Sequence, residues 1–395
     1  GEPLVPDGAL PAAEAAPPAI LPGDLRPTAA TTARLAALAA GRRGLLLLGP
    51  QDDPALPGAA AAAAAALGFP ILADPLSGAR TGGHDLSRLI PTGDPLAAAG
   101  WLESRPPELI LRAGALPTSK AVWQWLAARP EVPQVLLDPA GWRDPGASLA
   151  IMVRADPAAA LEALAAAGPH PAPSSWLEEW QAADGAAAAA IDGVLTTTPF
   201  PNEPEVVRVL AAALPAGALL AVASSMPIRD VDAFLPARAA PLHLLGNRGA
   251  AGIDGFLSTG LGAAAAAGAP ACLLSGDLSA LHDLTALGSA SRLGIPATIV
   301  VVHNDGGGIF HFLPQAAFAA HFERHWGTPH GTDFVAAAQA LGVPASRVQN
   351  RDALAAALTE APSGPRLLEV RTDRRANVEL HRSVRRAVAE AVGAL

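Results

Sequence analysis

Two short segments in the second half of the chain combine residue types that can hold a divalent cation against a phosphate. The apolar run Ala271–Ser275 leads into Gly276-Asp277-Leu278-Ser279, and the run Ala297–His303 leads into Asn304-Asp305-Gly306-Gly307-Gly308. Asp277 offers a hard carboxylate, and Asn304, 27 residues further on, offers a neutral carbonyl oxygen. The glycine run leaves a backbone carbonyl free to act as a third ligand. Mg²⁺ takes octahedral oxygen ligands and is seldom caged by protein alone, so this set suits an ion shared with a phosphate. Gly276 permits a tight turn, and a helix behind it would aim its N–H groups at the anion. A lone Gly-Asp pair at a strand end is often only a helix cap. The second strand-end loop, at this spacing, is what makes a Mg-diphosphate site.

A third cluster, Ser224-Ser225-Met226-Pro227-Ile228-Arg229-Asp230, and a fourth, Gly246-Asn247-Arg248-Gly249, also follow apolar runs. Arg229 and Arg248 can therefore project into the same crevice, where guanidinium groups would grip carboxylates bidentately. The same residues equally suit local ion pairs, with Asp230 or Asp232 for Arg229 and Asp254 for Arg248. Residue chemistry alone leaves both uses open.

The elements that must position these loops read as α/β. A chain of 395 residues exceeds one compact core, and 51% hydrophobic with 16% charged residues is a globular composition. Alanine supplies much of the apolar share, as in Ala59 to Ala66 and Ala263 to Ala267. Gly and Pro interrupt these runs before any reaches the roughly 20 apolar residues of a membrane span. The net charge of −9 argues against a nucleic-acid footprint. The single cysteine, Cys272, has no intrachain partner, and a reducing, cytoplasmic setting is expected. The first residues lack the basic and apolar regions of a secretory signal, although the chain starts at Gly1 rather than Met.

Strands and helices alternate as in a doubly wound, mostly parallel sheet covered on both faces. Strands are expected at 44–48, 69–73, 108–111, 132–137 and 149–153, with helices at 54–67 (capped by Asp53), 119–128 and 157–167. Residues 174–191 read as one helix able to bridge two domains. The alternation then resumes: helix 203–214, strands 218–223 and 242–245, helix 255–267, strand 271–275, helix 279–293 and strand 297–303. Helices 333–341 and 352–360, strand 366–370 and an Arg-rich helix 374–392 follow. Domains are expected at 1–185 and 186–395. The first strand-to-helix turn, Gly49-Pro50-Gln51-Asp52, lacks the dinucleotide glycine fingerprint. In open α/β sheets ligands sit at the carboxyl ends of strands, where all the loops above fall.

Four blocks carry a family resemblance: Ser-Met-Pro-Ile-Arg-Asp at 225–230, Asn-Arg-Gly-Ala-Ala-Gly-Ile-Asp-Gly at 247–255, Gly-Asp-Leu-Ser-Ala-Leu-His-Asp-Leu at 276–284 and Asn-Asp-Gly-Gly-Gly-Ile-Phe at 304–310. Leu-Pro-Gln at 313–315 extends them. In this order the blocks resemble the 2-succinyl-5-enolpyruvyl-6-hydroxy-3-cyclohexene-1-carboxylate synthases, thiamine-diphosphate enzymes of menaquinone biosynthesis. Leu278, where thiamine enzymes in general carry Gly, marks this branch. The resemblance implies a transferase that decarboxylates 2-oxoglutarate and adds the resulting succinyl carbanion equivalent to isochorismate. It implies a central α/β domain followed by a diphosphate-binding domain. By resemblance Asp277, Asn304 and the carbonyl of Gly306 hold Mg²⁺, for which Mn²⁺ can substitute. Gly276, Leu278, Ser279 and Ile309 meet the cofactor, and Ile253 props it in a bent shape. Ser225, Arg229 and Arg248 meet substrate carboxylates, with Ile309, Phe310 and Leu313 as the apolar wall. Lys120 falls where the family places a basic pair, beside Ala121.

The chain departs from the pattern at Ser224 (usually Asn), Asp305 (a second Asn) and His311 (commonly Ser). His282, His303 and His311 lie within the motifs and are expected to be structural. In the family, a first domain binds the aminopyrimidine and supplies an activating glutamate; Glu2-Pro3-Leu4 resembles the segment that follows it. The active site forms between that domain of one subunit and the diphosphate domain of another, so a dimer or tetramer is implied. The chain alone is expected not to turn over while keeping weak metal–diphosphate affinity. Two alternatives remain. An acetolactate-synthase-like carboligase would share the metal motif but not the arginine blocks, and would often bind flavin. A non-catalytic cofactor-binding or assembly subunit would need a separate pyrimidine-domain chain.

Overall fold

The computed structural model describes residues 19–21, 23 and 25–395; Glu2-Pro3-Leu4 lies outside them. The first part contains α1 (Ala29–Ala39), β1 (Gly44–Leu48), α2 (Leu56–Leu67), β2 (Ile71–Ala73), α3 (Gly93–Ala98), α4 (Trp101–Ser104), β3 (Leu109–Ala113), α5 (Lys120–Ala128), β4 (Gln134–Leu137), β5 (Leu149–Val153) and α6 (Pro157–Ala166). Its strands form one parallel sheet in the order β2-β1-β3-β4-β5. Every residue of β1, β3 and β4 is buried, as helices on both faces require.

The long helix α7 (Ser174–Thr197) leads to the second part. There follow α8 (Glu203–Ala213), β6 (Ala218–Val222), α9 (Met226–Phe234), β7 (Leu242–Leu245), α10 (Phe256–Ala267), β8 (Ala271–Gly276), α11 (Asp277–His282), α12 (Ala286–Leu293), β9 (Ala297–His303), α13 (Ala319–Phe322), α14 (Phe334–Ala340), β10 (Ala345–Arg347), α15 (Arg351–Thr359), β11 (Pro365–Arg371) and α16 (Arg374–Gly393). These strands form a second parallel sheet, β10-β11-β9-β8-β6-β7. Strand order reverses between β6 and β8, so the crevice of this sheet lies at their carboxyl ends.

Residue alternation divides the second sheet between two cores. Leu220, Val222, Cys272, Leu274, Val300, Val302, Leu368 and Val370 join a cluster that runs on into the first sheet. Leu219, Ala221, Leu273, Ile299, Val301 and Leu367 face a separate cluster with α10, α12 and α14. The first face is covered by α8, α9, α15 and α16. α7 runs unbroken across residues 185 and 186, burying Trp176, Trp180, Ala183, Ala187, Ile191 and Leu195. Arg80, fully buried, binds the two parts together. It donates to the carbonyls of Pro91 (2.6 Å), Asp232 (2.6 Å) and Leu235 (2.7 Å) and pairs with the Asp232 carboxylate at 3.3 Å.

The two-sheet α/β architecture agrees with expectation, and three local readings are corrected. The helix expected over 279–293 is broken into α11 and α12. Asp283 leaves helical geometry because its carboxylate accepts from the N–H (2.6 Å) and hydroxyl (2.9 Å) of Ser258 in the first turn of α10. Asp53 does not open α2; its side chain accepts from Ala55 N–H, and the helix starts at Leu56. The cluster 224–230, grouped with the strand-end loops, is helical from Met226, where α9 starts with Pro227 in its first turn, a position that favours proline.

Candidate active site

The strand-end loops of β6, β8 and β9 enclose one cavity of about 150 Å³ at the switch point. Its wall includes Ser225, Ile253, Gly276, Asp277, Leu278, Ser279, Asn304, Gly306, Ile309 and Phe310, all singled out in the sequence. Glu203, Val207, Asp230, Leu274 and Val302 also line it, and sequence reasoning missed them. The two acids carried a readable signal, a carboxylate within an otherwise apolar helix face. The apolar three read only as core.

Asp277 is held by backbone donors on both oxygens. Oδ2 accepts from Asn304 N–H (3.1 Å) and Gly306 N–H (2.9 Å), and Oδ1 accepts from Leu278 N–H at 2.7 Å. One carboxylate thereby ties the β8 turn to the β9 turn. Gly306 sits at φ +135°, and an added Cβ would meet the Gly327 carbonyl at 1.9 Å, so only glycine fits. Its carbonyl is not wholly free, as had been expected: it accepts from Gly308 N–H at 2.9 Å. That bond uses one lone pair and leaves the second for an ion.

Asn304 donates from Nδ2 to Glu203 Oε1 at 2.8 Å. Its Oδ1 is buried with no hydrogen-bond partner. A buried acceptor left bare costs on the order of 1–3 kcal/mol; a cation would satisfy it. Asp277, Asn304 and the second lone pair of Gly306 thus fit an oxygen-ligated divalent ion. The helix behind Gly276 spans only six residues, so its dipole is smaller than expected. Ser279 turns its hydroxyl to the carbonyl of Ile253 (2.8 Å), fixing the loop that carries this residue.

Beside the metal-type oxygens lies a histidine pair. His303 Nδ1 bonds Glu369 Oε1 at 2.6 Å, and the His303 ring stacks on His330 with centroids 5.3 Å apart. Asp277, His303 and His330 bring ligand-type atoms within 4.8 Å of one another. Thr332 N–H, however, donates to His330 Nδ1 at 3.1 Å, which places the neutral ring's proton on Nε2, 3.5 Å from Asp277 Oδ2. His330 Nε2 is buried without a hydrogen-bond partner, and a ring protonated there cannot ligate a cation through that nitrogen. Asp305, in the left-handed region at φ 59°, accepts from His330 and Gly331 N–H and latches this loop. His303 and Asp305 are thus both engaged in contacts within the fold; His282 is exposed, and His311 packs edge-on against Phe322.

Arg229 and Arg248 adjoin the cavity without lining it. Ser225 holds φ 75°, ψ −134°, a strained conformation for a residue with a side chain. Arg229 Nη1 donates to the Ser225 carbonyl at 2.5 Å. Arg248 Nη1 reaches Ser224 Oγ at 3.3 Å, and that hydroxyl donates to the Asn247 carbonyl. Burial, then the neighbouring Arg248 charge, lowers the Arg229 pKa. Among the described residues neither guanidinium has a carboxylate within 4 Å: Asp230 pairs with His381 and Asp232 with Arg80. The local ion pairs weighed for them do not form. Leu313 is half-buried beyond the short helical turn Gly308–Phe312, off the cavity wall, and Lys120 is exposed at the start of α5.

Beneath the cavity lies a buried acid pair. Burial, and then the charge of Asp230, push Glu203 up to about 7. Burial likewise raises Asp230, against the hydrogen bond and charge of His381 from α16.

A switch-point cavity walled by fixed oxygen atoms has the chemistry to anchor a phosphorylated cofactor. Residues 231–370 match the family model described as "Thiamine pyrophosphate enzyme, C-terminal TPP binding domain". Curated relatives named 2-succinyl-5-enolpyruvyl-6-hydroxy-3-cyclohexene-1-carboxylate synthase cover nearly the whole chain. That of Geobacillus thermodenitrificans is 41% identical over 87% of the chain and 59% of the relative. That of Myxococcus xanthus is 42% identical over 90% and 61%, and that of Chloroflexus aurantiacus 40% over 97% and 67%. The chain belongs to this synthase family and spans about 60% of the length of the first two relatives. No helix among the described residues is long and apolar enough to cross a membrane.

Proposed function

We propose that the chain anchors the cofactor in an enzyme that decarboxylates 2-oxoglutarate and adds the succinyl unit to isochorismate. Asp277, Asn304 and the Gly306 carbonyl hold Mg²⁺, or Mn²⁺ in its place, on the diphosphate. The cofactor supplies a site that stabilises the carbanion left by loss of CO₂. Ile253, fixed through Ser279, supports the cofactor from one side, while Gly276, Leu278 and Ile309 complete its bed. Arg229 and Arg248 bind substrate carboxylates with Ser225, and guanidinium groups without a carboxylate partner among the described residues suit polyanionic substrates. Ile309 and Phe310 exclude water from the cavity, and Leu313 extends the apolar surface beyond them. A pyrimidine-binding domain of a second subunit, in a dimer or tetramer, closes the site, and the exposed Phe318 near the Ile309–Leu313 segment suits such a contact.

The observation that carries this reading is the partnerless, buried Asn304 Oδ1 beside an Asp277 carboxylate fixed by three N–H groups. Calorimetric titration of thiamine diphosphate into the chain with Mg²⁺ tests it. Binding that disappears on chelation and in Asp277→Ala is expected; binding indifferent to both would overturn it.

A further inference from the structure

We infer that Glu203 is a positioning residue for Asn304: it selects which end of the amide faces the ion. This rests on the metal site proposed above and adds a residue to it. Asn304 carries an acceptor at one end of its amide and two donors at the other. Only the Oδ1 end can ligate a cation, and a half-turn of the amide would present N–H groups instead.

Glu203 is placed to prevent that half-turn. It stands in the first turn of α8, yet it does not cap the helix, because Asn202 accepts from Glu205 N–H at 3.0 Å. The Glu203 side chain turns inward to 3% exposure. Its Oε1 accepts both from Asn304 Nδ2 (2.8 Å) and from Thr372 Oγ1 (3.1 Å). Both donors converge on the same oxygen, so a proton on Oε2 leaves the arrangement intact. Thr372 follows β11, which lies beside β9, and thereby fixes the carboxyl group from a second element. Among the described residues no cationic side chain lies within 4 Å of Glu203. A buried carboxyl group without a salt bridge is costly, and holding Asn304 is the use its contacts display.

Outer partners that orient metal ligands typically change metal affinity ten- to hundredfold when removed, on the order seen at other centres. Mn²⁺ binding to the chain, followed by electron paramagnetic resonance at saturating thiamine diphosphate, reads this directly. Glu203→Leu is expected to weaken Mn²⁺ binding by about ten- to hundredfold. Glu203→Gln, whose amide oxygen can accept the same two bonds, should restore it. Asn304→Asp combined with Glu203→Leu should also restore it, because a carboxylate presents an acceptor in either orientation. A purely structural Glu203 would gain nothing from that second change. Should Glu203→Leu fail to fold, Glu203→Asp, which withdraws the carboxylate by one methylene, takes its place in both arms. Unaltered affinity after removal of Glu203, or loss that Asn304→Asp does not reverse, overturns the inference. Absence of Mn²⁺ binding by the unsubstituted chain instead overturns the metal site itself.

Discussion

At the scale of single residues, the site depends on side chains held against their own preferences. Asp230 and His381 show how such a balance can be tested. Burial works to lower the His381 pKa, but the hydrogen bond and charge of Asp230 outweigh it, and the imidazole titrates above its ordinary 6.5. A raised folded-state pKa means the fold binds the proton more tightly. The stabilisation is therefore full below 6.5 and is lost as pH rises through the raised value. In Asp230→Asn the burial effect has far less opposition, and the His381 pKa should fall, weakening or reversing that dependence. Imidazole proton shifts across a pH series check this; an unmoved titration would rule it out. The convergence of Asp277, Asn304 and Gly306 on one cavity was legible because residue type and spacing at strand ends persist in sequence. Glu203 and His381 were not, because their partners lie 101 and 151 positions away in sequence, at Asn304 and Asp230.

Among elements, strands were more legible than helix ends. Buried parallel strands appear as continuous apolar runs, and nearly every one was located within two residues. Helix ends depend on capping partners from elsewhere. The break between α11 and α12 is the clearest case, since Asp283 serves the first turn of α10 rather than its own helix. Asp283→Ala removes two hydrogen bonds from that turn and should cost about 1–2 kcal/mol, the range of lost helix caps. Urea unfolding measures this, and a loss well below that range would show that solvent replaces the carboxylate. α9 was missed because its start, Ser225, adopts a conformation that no local propensity favours.

At the scale of the whole molecule, one apolar cluster extends from the first sheet into one face of the second. Arg80 pins this junction from within, and burial raises the pKa of its partner Asp232 well above the usual carboxyl value. Arg80→Met would leave that carboxyl group and three carbonyls without their donor. Breaking a buried pair on one side costs about 3–5 kcal/mol. The expected result is a lower melting temperature, with the two parts no longer unfolding in one calorimetric transition; an unchanged single transition would show that the shared core suffices.

The continuous α7 bears on how the protein can be divided. A helix whose inward face is occupied along its length behaves as a spine, not as a tether. Separating the parts along it would expose the apolar cluster that runs from the first sheet into one face of the second. Fragments made that way should be recovered together or as aggregates. The smallest piece of this chain that can present the Asp277 and Asn304 loops in working order therefore includes the first sheet, although that sheet contributes nothing to the wall of the cavity.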